Sequence, residues 1–316
     1  MQHIPVLLNE VLDFLKPEPG KFFIDGTIDG GGHATEIFRR ISPGGTLLGV
    51  DLDETMLEKL KRDANLRMHP PPKADPPLAE NAANNLILVC GNYADLPEIL
   101  EKARKSDPSI PLRASGLLLD LGFSSEQLES SGRGFSFKKD EPLLMTYDSS
   151  ATPVKDILRE IDERKLADII FEFSGERFSR KIAAAIKTRG RKKKIETSGE
   201  LNEIIKTVLP KNYERGRIEP ATRTFQALRI YANHELENIE KAVKNLPEIL
   251  KPGGRAVFIS FHSLEDRIVK KSFKRMAKQG ELEILTPKPV RPTREETREN
   301  PRSRSAMLRA AVITDH

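Results

Sequence analysis

FFIDGTIDGGGH, residues Phe22–His33, is the stretch on which the reading of the whole chain turns. The apolar run Phe22, Phe23 and Ile24 is bounded by turn-forming residues and reads as a short buried strand of the parallel-sheet kind, closed by Asp25. Glycine then dominates, at Gly26, Gly30, Gly31 and Gly32, and after His33 the apolar spacing of Ala34, Ile37 and Phe38 switches to a helical period. A strand, a glycine loop and a helix in that order make the first turn of a nucleotide-binding βαβ unit, where glycines admit positive φ and let backbone approach a ligand. On glycine content alone, a tight turn holding no ligand reads the same way.

Charge discriminates between ligands. A dinucleotide site presents a helix N-terminus to a pyrophosphate, and acidic side chains there repel it. Asp25 and Asp29 sit in this loop. S-adenosylmethionine carries no phosphate but a sulfonium and an ammonium, so an acidic loop suits it better. A second strand, Thr46 to Val50, ends in Asp51, about twenty residues beyond the glycines, where such folds place a carboxylate on ribose hydroxyls.

Downstream the rhythm repeats. The opening segment has apolar residues at 7, 8, 11, 12 and 15, a helical stripe stopped by Pro17 and Gly20 and expected to pack across the sheet. A helix from about Glu54 to Lys61 follows Asp51. Residues 67–85 hold five prolines and no regular period, which reads as a mobile loop. Leu86–Val89 and Ser115–Leu119 are the third and fourth strands, the latter ending at Asp120. Asp25, Asp51 and Asp120 thus fall on one sheet edge.

From about Phe137 the alternation stops, and Val154–Leu209 is helical in pattern, which predicts a helical domain over 137–216 inserted into a sheet domain formed by 1–136 and 217–316. Arg177–Lys194 carries nine Lys/Arg, either a solvated helix end or an RNA-contacting patch. Phe225–Leu250 reads as one long amphipathic helix. A fifth strand, Arg255–Phe261, is followed by a helix opened at His262, with Ser263 and Asp266 in capping positions. Leu282–Leu285 and Met307–Ile313 close an antiparallel pair. The fold expected is α/β, a class I Rossmann-like methyltransferase sheet with an inserted helical domain.

The composition sets bounds. The chain has 316 residues, 31% of them charged, and a net charge of +5 that leans toward a polyanionic partner. Its one cysteine, Cys90, reads as a small buried residue ending a strand and excludes an intrachain disulfide. No Cys/His cluster has zinc spacing, so no metal is expected. Neither a signal peptide nor an apolar run of membrane-spanning length is present, and a cytoplasmic location is expected.

Several stretches together resemble the bacterial 16S rRNA N4-cytosine methyltransferases of the MraW (RsmH) type: HIPVLLNEVL at 3–12, DGT and GGH within 25–33, LLLDLGFSSEQL at 117–128, RGFSF at 133–137, PATRTFQALRI at 220–230, SFHSLEDRIVK at 260–270 and NPRSRSAMLR at 300–309. The resemblance implies S-adenosyl-L-methionine as cofactor, with contacts at Gly31, Gly32, His33, Asp51, Tyr93, Asp120 and Gln127. It also implies 16S rRNA as partner, held in part by the helical insertion; because a base must leave its stack to reach the sheet edge, assembled or partly assembled small subunits are the expected substrate. Chain order departs from the family pattern at Asp29, a usual glycine, at Leu144 and Thr146, usually Asp and Arg, and at Glu219, usually His. For the chemistry, Asp120 is the candidate acceptor for the amino hydrogens of cytosine and Phe123 the candidate stacking face. His262 is either a second polar contact or a helix cap, and His33 either a cofactor contact or a packing residue. The alternatives are a methyltransferase for another RNA or a small amine, and a noncatalytic RNA-binding or assembly protein on the same scaffold.

Overall fold

The computed structural model describes residues 5–67, 85–122, 132–148, 150–216 and 219–315. In chain order the elements are α1 (Leu8–Leu15), β1 (Phe22–Asp25), α2 (Gly32–Ile41), β2 (Thr46–Asp51), α3 (Glu54–Arg67), β3 (Asn85–Cys90), α4 (Leu96–Ser106) and β4 (Ala114–Asp120). They continue with α5 (Val154–Glu160), α6 (Glu163–Ser174), α7 (Ser179–Lys192), α8 (Ser198–Val208), α9 (Thr222–Ala232) and α10 (Glu235–Lys244). The last are β5 (Leu250–Ser260), α11 (Ser263–Lys278), β6 (Leu282–Ile284), α12 (Arg294–Glu299) and β7 (Met307–Ile313). Two compact units result, 1–122 with 236–316, and 123–235.

The first unit is a seven-stranded sheet in the order β3-β2-β1-β4-β5-β7-β6. β3 through β5 run parallel, and β7 is antiparallel to both β5 and β6. Strand alternation divides the core cleanly, because successive side chains point to opposite faces. Phe22, Ile24, Leu48, Val50, Leu117, Leu119 and Phe258 face α4, α10 and α11. Phe23, Leu47, Leu118, Val257 and Ile259 face α1, α2 and α3. Both faces of the sheet are therefore covered, which is why its strands read as continuous apolar runs. α1 packs on β4, β5 and β7, as its stripe predicts.

The second unit has its own core. Leu166, Ala167 and Ile170 of α6 meet Ile182, Ala183 and Ile186 of α7, with Leu201 and Ile205 of α8 and Phe225, Leu228 and Ala232 of α9. α9 packs on α6, and this pulls the unit's limits outward: the boundaries expected at 136/137 and 216/217 lie inside it.

Four local expectations are corrected. Residues 225–250 are not one helix: α9 ends at Ala232, and His234 takes a left-handed φ of 51°. The Asn233 side chain donates to the Met145 and Arg229 carbonyls at 2.7 and 2.9 Å, drawing the backbone out of helical continuation. A single turn, Leu246–Ile249, then leads straight into β5 at Leu250, earlier than expected. At α11 the cap is His262 rather than Ser263 or Asp266. Its side chain accepts from the Glu265 backbone N–H, while the Glu265 carboxylate accepts from the His262 N–H, a reciprocal capping box. Cys90 does end a strand, but it is exposed. Most of the proline-rich segment, 68–84, lies outside the described residues.

Candidate active site

The order in which strands are added reverses between β1 and β4. From β1 the chain steps outward to β2 and β3, then returns to place β4 on the other side of β1. In open parallel sheets ligands bind outside the carboxyl ends of the strands at such a switch point. The last residues of these two strands are Asp25 and Asp120, and that of β2 is Asp51.

Asp25 is 1% exposed, and burial pushes its carboxyl up from 3.8 to about 8, with the carboxylates of Asp120, Asp51 and Asp29 adding to the effect. The Thr27 backbone N–H, donating to Asp25 Oδ1 at 3.2 Å, opposes the rise only partly. Thr27 Oγ1 in turn accepts from the Asp120 backbone N–H at 2.6 Å, stitching the ends of β1 and β4 together. Asp120 Oδ1 accepts from the Gly122 N–H at 3.1 Å. A Cβ on Gly122 would meet the Phe261 ring at 2.6 Å, so glycine is needed for the close approach of the β4 and β5 exits.

His33 is buried in the first turn of α2. Its Nε2 lies 2.9 Å from the Val6 carbonyl and its Nδ1 3.7 Å from Asp120 Oδ2. Burial lowers its pKa from 6.5 to about 4, against the opposing effect of the Val6 carbonyl. The ring is neutral near pH 7, and the Val6 carbonyl fixes the proton on Nε2. Nδ1 and Asp120 Oδ2 then present two acceptors side by side. His33 thus serves in packing as well as facing the strand ends.

The glycine loop hangs on Asp51. Its Oδ2 accepts from the Asp29 N–H and its Oδ1 from the Asp53 N–H, both at 2.9 Å. Burial raises its pKa, and these backbone donors hold it back. Asp29 has a φ of 43°, a left-handed conformation that glycine takes freely and Asp tolerates. Gly31 caps α2 at φ 75°, and a Cβ on Gly32 would press on Pro5 at 3.2 Å. Tyr93 opens a short turn after β3, and its Cβ lies 3.3 Å from where a Cβ on Gly26 would fall, so it borders the same loop.

Gly31, Gly32, His33, Asp51, Tyr93 and Asp120 are thus gathered at the strand ends of the first unit. Phe123 and Gln127 lie outside the described residues. His262 Nδ1 accepts from the Glu265 N–H of its own helix start at 3.5 Å, whereas its buried Nε2, 3.0 Å from Glu265 Oε1, makes no hydrogen bond among the described residues. Asp25 and Thr27 are the residues the sequence reading left out of the site. Asp25 is there a member of the acidic loop and of the sheet edge without a role of its own, and its protonated state depends on packing.

The donor chemistry matches S-adenosylmethionine. The loops 25–33, 51–54, 90–95 and 120–122 carry no Lys or Arg, and with Asp25 protonated and Asp95 paired with Lys241, Asp29, Asp51, Asp53 and Asp120 supply the negative charge. Such a cradle repels phosphates and favours a ligand with cationic sulfonium and ammonium groups. Asp51 stands where ribose hydroxyls are held in this fold class.

The chain matches the family described as MraW methylase over residues 1–314. It is 42% identical to the ribosomal RNA small subunit methyltransferase H of Pelobacter propionicus, across 98% of this chain and 97% of that protein. It is 41% identical to the protein so named from Thermotoga neapolitana, across 99% and 96%, and 40% identical to that of Persephonella marina, across 98% and 99%.

Proposed function

The chain belongs to the MraW methylase family, and from that premise we propose that it transfers a methyl group from S-adenosylmethionine to small-subunit ribosomal RNA, at the exocyclic N4 of a cytosine in the decoding region of 16S rRNA. The observation that carries the chemistry is the convergence of Asp25, Asp51 and Asp120 on a cation-free glycine loop at the β1/β4 switch point.

When bound, the cofactor supplies an electrophilic methyl on a sulfonium. Asp51 is assigned to the ribose hydroxyls, Tyr93 to the adenine face, and Gly31, Gly32 and His33 to the loop that encloses it, with Gln127 as a further contact. Cytosine N4 is a poor nucleophile because its lone pair is delocalised into the ring, so attack requires orientation and an acceptor that draws on the amino hydrogens. Asp120 is assigned that acceptor role. Its backbone is pinned by Thr27 and its Oδ1 by the Gly122 N–H, which fixes the carboxylate at the end of β4. Phe123, three residues on, is assigned to stack on the base. His262 is assigned chiefly to the cap of α11.

The target cytosine must leave its stack to reach a sheet edge, which favours folded, partly single-stranded RNA over naked duplex. We therefore expect assembled or partly assembled small subunits in the cytoplasm to be the substrate, acted on with help from the helical unit. Among the described residues no helix is long and apolar enough to cross a membrane. The test is methyl transfer from labelled S-adenosylmethionine to isolated small subunits and to extracted 16S rRNA. Label is expected in cytidine N4, more rapidly in subunits. Absence of both cofactor binding by calorimetry and label transfer would refute the enzymatic reading.

A further inference from the structure

A cavity of about 140 Å³ opens in the helical unit between α5, the second half of α7 and the turn at 194–196. Its inner wall is apolar, from Leu158, Ile186 and Ile195, all buried. Its rim is cationic: five Lys/Arg line it against two carboxylates, Asp156 and Glu196. Those two carboxylates pair with Arg159 and Lys155 at 3.1 Å each, so the charge of Lys187, Arg191 and Lys194 has no counterpart in the lining. Lys187 Nζ is anchored by donating to the Leu158 and Arg159 carbonyls at the end of α5, at 2.9 and 3.1 Å. Burial lowers its pKa and neighbouring Arg191 lowers it further, against the carboxylates of Asp162 and Glu163, which raise it.

Gly190 is an independent sign. It lies in the last turns of α7 without a positive φ, and a Cβ built on it would meet nothing within 4 Å. A helical glycine is about 1 kcal/mol less favourable than alanine, and neither backbone geometry nor crowding accounts for this one. It leaves the mouth of the cavity open.

We propose that this cavity is a nucleotide seat, taking one unstacked base of a single-stranded RNA segment against Leu158, Ile186 and Ile195 while the adjoining phosphates lie on Lys187, Arg191 and Lys194. The volume suits one planar ring, since a cavity of about 150 Å³ accommodates benzene. Inorganic phosphate would leave the apolar wall unused, and an apolar peptide would leave the three cations unsatisfied. Recognition of splayed-out bases is the usual way single-stranded RNA is held. The seat rests on the RNA-substrate reading and extends it to a second point of contact within the helical unit.

The test uses the full chain and two probes, a short single-stranded RNA oligomer and an abasic oligomer of equal length. Gly190→Leu fills the mouth, and helical circular dichroism with the thermal midpoint reports that it is folded. It is expected to weaken the RNA oligomer about tenfold, equivalent to ~1.4 kcal/mol, and to leave the abasic oligomer almost unaffected. The double variant Arg191→Gln with Lys194→Gln is expected to weaken both probes and flatten the logarithmic salt dependence by about 1.4. Equal affinity of Gly190→Leu and wild type for the RNA oligomer, or equal losses on both probes, would overturn the seat. If Gly190→Leu proves unfolded, Ile195→Gln takes its place, and it must weaken the RNA oligomer selectively or the seat fails. Methyl transfer to small subunits by the wild type, run alongside, separates the readings: its absence with a selective oligomer loss keeps the seat and refutes the substrate, whereas its presence with unchanged KM in Gly190→Leu refutes the seat.

Discussion

Asp25→Asn should change how stability depends on pH. Asp25 is buried with its pKa raised from 3.8 to about 8, so it contributes stability that is fully present below 3.8 and lost as pH rises through about 8. His33 has the opposite sign: its pKa is lowered from 6.5 to about 4, and its contribution is present above 6.5 and lost as pH falls toward 4. Between about pH 4 and 6.5 the two slopes offset each other. Above 6.5 only the Asp25 slope remains of this pair, approaching 1.36 kcal/mol per pH unit, which amounts to about 2 kcal/mol lost between roughly pH 6.5 and 8. Asp51, also raised by burial, has the sign of Asp25, and comparison with the variant removes it. Asparagine retains an acceptor for the Thr27 N–H and cannot ionise. Urea unfolding of the cofactor-free protein, at both pH values, is expected to show wild type losing about 2 kcal/mol more than Asp25→Asn. Identical pH dependence in the two proteins would refute a protonated Asp25.

Asp120→Asn keeps size while removing charge, and turnover should fall by about 10²-fold or more while S-adenosylmethionine affinity, measured by calorimetry, falls less than about tenfold; parallel losses would make Asp120 a cofactor ligand only. Asp29→Gly relieves a left-handed backbone and should raise the urea midpoint by the equivalent of about 0.5–1 kcal/mol, whereas a lowered midpoint would mean that the Asp29 side chain holds the loop. His262→Asn preserves an N-cap acceptor, so thermal midpoint and turnover should stay near wild type. A loss of turnover of about a hundredfold at unchanged stability would restore His262 as a proton acceptor.

The parallel strands were legible because Phe22–Ile24, Thr46–Val50 and Ser115–Leu119 are apolar runs closed by Asp, and buried parallel strands have that composition. Their carboxylates could be placed on one edge for the same reason. The break between α9 and α10 was not legible. The apolar spacing of Ile230, Leu236 and Ile239 continues through it, and the left-handed residue is His234 rather than a glycine that would have marked it. Asn233 ends α9 by reaching Met145, a contact remote in sequence. For the cap of α11 the sequence offers Ser263 and Asp266, the commoner capping types, beside His262, and Glu265 reaching back decides for His262. Protonation of Asp25 arises from desolvation by the packed sheet, and the cavity beside Gly190 from the meeting of α5 and α7, neither of which local pattern contains.

Nucleoside masses of small-subunit rRNA from cells with and without the gene test the central claim most directly. The account predicts that one N4-methylated cytidine in the decoding region loses the methyl group this enzyme adds and regains it when the wild-type gene, but not Asp120→Asn, is restored. An unchanged nucleoside profile in cells lacking the gene would contradict it.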